Sequence, residues 1–399
     1  MLTLDKVYHA SNVLKEVIRP TTCIYAPDIN PDVHTYLKTE NLQVTGSFKV
    51  RGAYYKISQL SDEEKAHGVI ACSAGNHAQG VALAATKNGI KSLICLPDGA
   101  PISKVEATKG YGADVCLVEG VYDDAYAKAI QLRDEKGYTF IHPFDDENVI
   151  AGQGTIGLEI LNEISNADVI VVPVGGGGLI SGVAFTVKQL KPSVRVYGVQ
   201  AEGAPSMVES LKDGTIKCLD SVNTIADGIK VKEPGVNTFE CCQKYVDDIV
   251  TVSDDEISSA ILHMIEKQKL ISEGAGAVPV AAVMFNKIPD IKGKNVVCLV
   301  SGGNIDVTIL SRVIKRGLLK SGCSDTLTIQ LEDKPGQLKG VSAIISDLGG
   351  NVTSIHHERA SEGDITECLL RIVLETRNYA HIREIRSALT NAGFKIVNK

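Results

Sequence analysis

The sequence has no Cys-x-x-Cys pair, no long basic run and no uninterrupted apolar stretch of membrane-spanning length, and each absence removes a class of function. The ten cysteines are scattered, and the adjacent Cys241 and Cys242 cannot close an ordinary disulfide loop; such usage points to a reduced, cytoplasmic chain. A formal net charge of −7 without a basic run argues against nucleic acid as the main partner. The opening Met1 to Ala10 lacks a basic segment followed by an apolar one, so no signal peptide is expected. The most apolar stretch, Val169 to Phe185, contains Pro173 and four consecutive glycines and reads as a buried strand and loop rather than a membrane span. What is present is ordinary for a globular protein: 399 residues, enough for two or three domains at about 100 to 200 residues each.

Two stretches carry chemistry. In Thr45-Gly-Ser-Phe-Lys-Val-Arg-Gly52 a turn leads into a helical spacing of Val50, Ala53, Tyr54, Ile57 and Leu60, with Ser47 as the expected N-cap. Lys49 then lies in the first turn, where the helix dipole and any dryness of the site both disfavour the ammonium and leave a nucleophilic amine, as a Schiff-base lysine requires. A lone lysine near a helix start is ordinarily a solvated surface residue, so this reading depends on a second site.

The second stretch is the β-branched run Val169 to Val174, followed by Gly175, Gly176, Gly177 and Gly178 and a helical pattern from Leu179 to Phe185. Strand, glycine turn and helix start together make a cradle in which backbone N–H groups and the helix dipole favour a phosphate. The plainer reading is a tight strand-to-helix connection. Lysine and cradle together suggest pyridoxal phosphate. A nicotinamide fold is the rival, supported by Glu202 at the end of the next strand. The Gly-x-Gly-x-x-Gly spacing is not met, because its third glycine would fall on Ile180 or Ser181.

Gly46 to Ala53, Ser73-Ala-Gly-Asn-His-Ala-Gln-Gly80, Gly175 to Leu179 and Ser301-Gly-Gly-Asn304, in this order, resemble threonine dehydratase (threonine ammonia-lyase) of the fold type II pyridoxal phosphate enzymes, over nearly the whole chain. The resemblance implies an α/β catalytic body over residues 1–320, with parallel-rich sheets in two lobes and the small lobe, about 52–144, inserted in the larger. It implies that Lys49 holds the cofactor as an imine and removes the substrate α-proton. Asn76 is matched to the partner of the pyridine hydroxyl oxygen, the glycine run with Leu179 to the phosphate site, and Ser301 to the group facing the pyridine nitrogen. A hydroxyl does not hold that nitrogen protonated as an aspartate would; the weaker electron sink suits elimination of a β-hydroxyl, with release of a 2-oxo acid and ammonia. Ser73, Ala74, Gly75, Asn76 and His77 form the expected loop for the substrate carboxylate. Glu273, in Ser272-Glu-Gly-Ala-Gly276, is a further candidate, though a glutamate at a helix start is as often a dipole partner. The cofactor phosphate is one candidate for the acid that protonates the leaving hydroxyl.

Two departures separate relatives. Serine racemases of this group carry a serine before Gly-Asn-His, where this chain has Ala74, so dehydration is favoured over racemisation. Those relatives also have a divalent-metal site, beginning with an acid at the position of Glu202 and ending with one where this chain has Val208; an apolar side chain cannot ligate a hard cation, so no metal is expected there. The adjacent His356 and His357 point to opposite faces of a strand and read as one buried and one solvated residue rather than ligands. Other fold type II activities, and a non-catalytic amino-acid sensor, are the alternatives to a dehydratase.

Periodicity places strands at Val69–Ser73, Ser92–Leu96, Asp114–Val118 and Tyr138–Ile141, with helical patterns at Ala78–Asn88 and Asp123–Glu135. Gly89 and Gly112 sit where helix ends belong. Alternation of this kind predicts a parallel sheet with ligands at the carboxyl ends of its strands. After a polar linker at 321–325 the order becomes strand, helix, strand, strand, helix, strand, an α+β module. With its Asp333-Lys-Pro-Gly-Gln-Leu338 turn, the span 326–399 resembles the ferredoxin-like ACT domain. This implies a small amino-acid effector, isoleucine or valine if the enzyme feeds branched-chain synthesis, and a homo-dimer or homo-tetramer. A module that serves only dimerisation is the alternative.

Overall fold

The computed structural model describes residues 2–359 and 366–397. The chain divides between Asp306 and Val307 into two compact units. Met1, 360–365 and 398–399, which fall within the expected catalytic and ACT spans, lie outside the described residues.

The first unit is built on two sheets. Five strands of the larger sheet, His34–Lys38, Asn295–Leu299, Val169–Pro173, Arg195–Ala201 and Asp248–Val252, run parallel in that order, and Cys23–Tyr25 pairs antiparallel at one edge. The central Val169–Pro173 is buried at every residue. Both faces of a parallel sheet are covered by crossover helices, which is why this strand reads as an unbroken apolar run. Ile170, Val172, Val297 and Leu299 pack with Ile180, Val183 and Val187 of the helix Gly178–Leu190.

The smaller sheet orders Asp114–Val118, Ser92–Pro97, Val69–Cys72 and Thr139–Phe140, all parallel. Its strands fall within a residue or two of those read from periodicity. Gly89 and Gly112 take φ of 67° and 93° just after their helices, as a left-handed helix stop requires. The helices Lys49–Ser58 and Glu147–Glu163 meet at Gly52 and Gly152, where a Cβ on Gly152 would lie 2.6 Å from the Gly52 Cα. Backbones this close admit no side chain between them.

Periodicity did not reveal the strands Cys23–Tyr25 and His34–Lys38, which are short and carry polar residues. The segment after strand Asp248–Val252 is α-helical over Asp254–His263 and closes as a π-helix over Met264–Gln268, with Lys269 left-handed at φ 57°.

The second unit contains an antiparallel sheet in the order Asn351–Arg359, Glu367–Glu375, Ser324–Glu332, Lys395–Ile396, with helices Gln337–Asp347 and Tyr379–Asn391. Leu327, Ile329, Val341, Ile345, Leu370, Ile372 and Ile385 form its core. The helix Val307–Lys320 also belongs to this unit: the Tyr379 hydroxyl donates to the Lys320 carbonyl at 2.8 Å. The contacts therefore divide the chain ahead of the expected boundary at Lys320, and the strand begins at Ser324, inside the segment read as a linker. His356 and His357 are both exposed, not one buried and one solvated, because their strand is the edge of the sheet and pairs on one side alone among the described residues. No helix among the described residues is long and apolar enough to cross a membrane.

Candidate active site

Lys49 opens the helix Lys49–Ser58, as its spacing predicted, but the cap is different. The cap position is Phe48, and no side chain caps the helix. Ser47 instead bridges its backbone to Gly302, and its hydroxyl is buried without a partner among the described residues. Gly46, at φ 70°, makes the turn; a Cβ there would lie 2.3 Å from the Asn304 Oδ1.

The half-buried Lys49 Nζ donates to the Pro143 carbonyl at 2.7 Å and lies 5.3 Å from the Phe48 ring centroid. Burial pushes its pKa down to about 8, with Glu273 opposing the shift. About a tenth of the amine is then unprotonated at pH 7, far more than for an ordinary lysine, as a nucleophile or base needs.

Asn76, Glu273, Asn304 and Gly302 meet at one place. Asn76 begins the helix Asn76–Lys87, and its Nδ2 donates to the Glu273 Oε1 at 2.7 Å. The Asn304 Nδ2 donates to the Asn76 Oδ1 at 2.8 Å and to the Thr45 carbonyl at 2.8 Å. These bonds fix the Asn76 amide in one orientation, nitrogen toward the carboxylate. A Cβ on Gly302 would fall 2.5 Å from the Glu273 Oε1, so only glycine lets that carboxylate in. Burial pushes the Glu273 pKa up to about 7, against the Asn76 hydrogen bond and the Lys104 charge.

The Ser73 to His77 loop lies at the carboxyl end of strand Val69–Cys72. The Ser73 Oγ accepts from the Gly75 N–H at 3.1 Å, Ala74 packs against the small-sheet core, and the space where a Gly75 Cβ would stand is open. His77 differs from the rest of the loop. Its ring is buried with Nε2 2.8 Å from the Ile141 carbonyl, and burial, with Lys49 adding to it, pushes its pKa down to about 3. The neutral ring is committed to the scaffold, which leaves the His77 backbone as its free contribution.

The glycine run lies at the carboxyl end of Val169–Pro173. Gly177, at φ 97°, caps the helix Gly178–Leu190, where no side chain caps the first N–H groups. A Cβ on Gly176 would stand 2.4 Å from the Phe144 ring, and one on Gly178 2.7 Å from the Phe144 carbonyl. The first helical N–H groups of a side-chain-free turn are what an anion such as phosphate takes. Ser301 lies two residues beyond the neighbouring strand Asn295–Leu299, is 2% exposed, and its carbonyl accepts from the Phe48 N–H at 3.1 Å.

Four features were not singled out from sequence. Asn304 and Arg51 lie inside motif strings already noted; Pro143 and Phe144 had no signal, since their part is a carbonyl and a ring face. Arg51 is fully buried. It forms paired bonds to Glu40 at 2.8 Å each, and to Glu159 at 2.6 and 2.9 Å. Lys38, also fully buried, joins Glu159 and Glu163 at 2.8 Å each. Burial would raise the Glu40 carboxyl pKa, but Arg51 holds it below the usual range.

The family description "Pyridoxal-phosphate dependent enzyme" matches residues 14–302, and "ACT domain" matches 326–391. The chain belongs to the pyridoxal-phosphate dependent enzymes. Among members of this family, an L-threonine ammonia-lyase of Thermotoga maritima is 48% identical over 399 residues, 99% of each chain. A protein named L-threonine dehydratase catabolic TdcB, of Staphylococcus aureus, is 47% identical over 323 residues, 80% of this chain and 93% of its own. The solved structure of maize serine racemase superposes with a TM-score of 0.75 at 34% identity, covering 80% of this chain and 98% of that one. The fold type II body and the C-terminal ACT domain expected from sequence are thus both present.

Proposed function

We propose that this chain deaminates L-threonine, and more slowly L-serine, to 2-oxobutanoate or pyruvate and ammonia, under control of an amino-acid effector bound by its ACT domain. Pyridoxal phosphate supplies an aldehyde that condenses with amines and a ring that withdraws electrons from the substrate α-carbon. The donor set fits it: the uncapped glycine-run helix start would take the phosphate, Asn76 the ring hydroxyl, and Ser301 the ring nitrogen.

The observation that carries the reading is Lys49, an amine depressed to about 8 inside this constellation. As a free amine, its Nζ would hold the cofactor through its aldehyde carbon and, when not so engaged, would accept the substrate α-proton. The start of the Asn76–Lys87 helix offers N–H groups to the substrate carboxylate. Glu273 holds Asn76 in orientation. With its carboxyl raised to about 7, it is only about half ionised at neutral pH and so puts less than a full negative charge beside Lys49.

Full-length similarity to a threonine ammonia-lyase and an alanine at position 74 favour dehydration over the racemase reading. Catalysis is assigned to the unit ending near Asp306, and regulation to the remainder. Supply of 2-oxobutanoate for isoleucine synthesis, a cytoplasmic location and a homo-dimeric or homo-tetrameric state complete the proposal; a catabolic role is the alternative suggested by the name of the Staphylococcus relative.

The test is spectroscopic and kinetic. Protein purified with added cofactor should be yellow and should turn over L-threonine faster than L-serine and faster than either D-form. Lys49→Ala should lose the visible band and about a thousandfold or more of the rate. A colourless wild-type protein would sink the proposal.

A further inference from the structure

We propose that Asp333, His357 and Cys368 of the ACT domain form a binding site for one divalent transition-metal ion of the zinc class. A carboxylate oxygen, an imidazole nitrogen and the thiol sulfur of these residues lie within 4.8 Å of one another. The sheet brings them together from three places. Cys368 pairs with Leu331 on one side and Arg359 on the other, and His357 pairs with Leu370, two residues beyond Cys368. With side chains alternating along a strand, Cys368 and His357 therefore share a face, and His356 takes the opposite one. Asp333 follows the last residue of strand Ser324–Glu332, and its N–H donates to the Thr366 carbonyl at 2.8 Å. That bond draws the Asp-Lys-Pro-Gly turn toward the start of the strand that bears Cys368.

The donor chemistry selects the ion. One sulfur, one nitrogen and one oxygen suit zinc and its borderline neighbours, whereas calcium and magnesium take oxygen alone. Tetrahedral zinc, with bonds of about 2.3 Å to sulfur and about 2.0 to 2.2 Å to nitrogen and oxygen, places its donors roughly 3.2 to 3.8 Å apart. His357 and Asp333 are exposed and can rotate to close the difference, while Cys368, 2% exposed, is the fixed ligand. Cys368, like the other nine cysteines, is in no disulfide. Three protein donors leave a position for water, or for a polar group of a bound small molecule. The ion would fasten the turn to the sheet, and by binding the folded state alone it would stabilise the domain.

The experiment uses the full-length holoenzyme, stripped with chelator, dialysed to equilibrium against zinc, and assayed for zinc per chain by mass spectrometry. Wild type should retain one zinc per chain, with a rise in thermal midpoint. His357→Gln, an exposed substitution that leaves the core intact, should lose both, as should Cys368→Ser. Cobalt in place of zinc should give a thiolate-to-metal charge-transfer band in the difference spectrum, absent from Cys368→Ser. No stoichiometric zinc in wild type, or equal retention by the folded His357→Gln variant, would overturn the proposal. None of these readouts depends on turnover, so they stand apart from the test of the catalytic assignment.

Discussion

At the scale of single residues, the Glu273 carboxyl gives the site a pH signature. Its pKa rises from 4.5 to about 7 on folding. Between those values the folded chain holds a proton that the unfolded chain has released, so stability falls as pH rises through this window and levels off above it. Glu273→Gln imitates the protonated form. In cofactor-free protein, the midpoint of the variant relative to wild type should therefore increase from pH 5 to pH 8. A difference that does not vary with pH would mean that the carboxyl titrates normally. Ala74 carries the second residue-scale prediction. A hydroxyl there would offer a proton to the face opposite Lys49, so Ala74→Ser should raise D-serine formation relative to elimination from L-serine. Chiral analysis of the products checks this, and no gain in D-serine would place the discriminator elsewhere. The helix starts at Lys49, Asn76 and the end of the glycine run were legible because in each a turn containing glycine comes just before a helical spacing. The role of Ser47 was misread because local spacing cannot show that its backbone is taken up by Gly302, more than two hundred positions away.

Among elements, the helix Lys49–Ser58 matters most, because its first residue enters the site while its third, Arg51, is anchored in buried charge. Removing one partner of such a pair leaves the other charge buried and uncompensated, which typically costs about 3–5 kcal/mol. Arg51→Met should accordingly destabilise the catalytic unit by about that much, read as a lower urea midpoint, since Glu40 has no route to solvent. An unchanged midpoint would mean that Glu40 simply takes up a proton. Strands with unbroken apolar runs, such as Val169–Pro173, declared themselves in the sequence. The strand His34–Lys38 did not, because the residues that tie it in, Lys38 and the nearby Glu40, look like surface charge until their partners, Glu159 on the helix Glu147–Glu163 and Arg51 on Lys49–Ser58, are known. Nor did sequence reveal that the helix Val307–Lys320 packs with the second unit, since an amphipathic helix does not name the surface it covers.

For the whole molecule, the division into two units predicts that they are separable in function. A chain ending at Asp306 should retain threonine turnover and lose any response to isoleucine, valine or other common amino acids. Equal effector responses from the short and full-length chains would remove the regulatory role from the ACT domain. The bonds from Asn304 to Thr45 and Asn76 span 259 and 228 positions. Loop closure over such lengths comes late, after more local contacts have formed. During synthesis the nascent chain therefore carries Lys49 for most of its elongation with the Asn76 amide unfixed. Only when the segment ending at Asn304 has left the ribosome can the site close and retain its cofactor, so cofactor capture marks the completion of the catalytic unit.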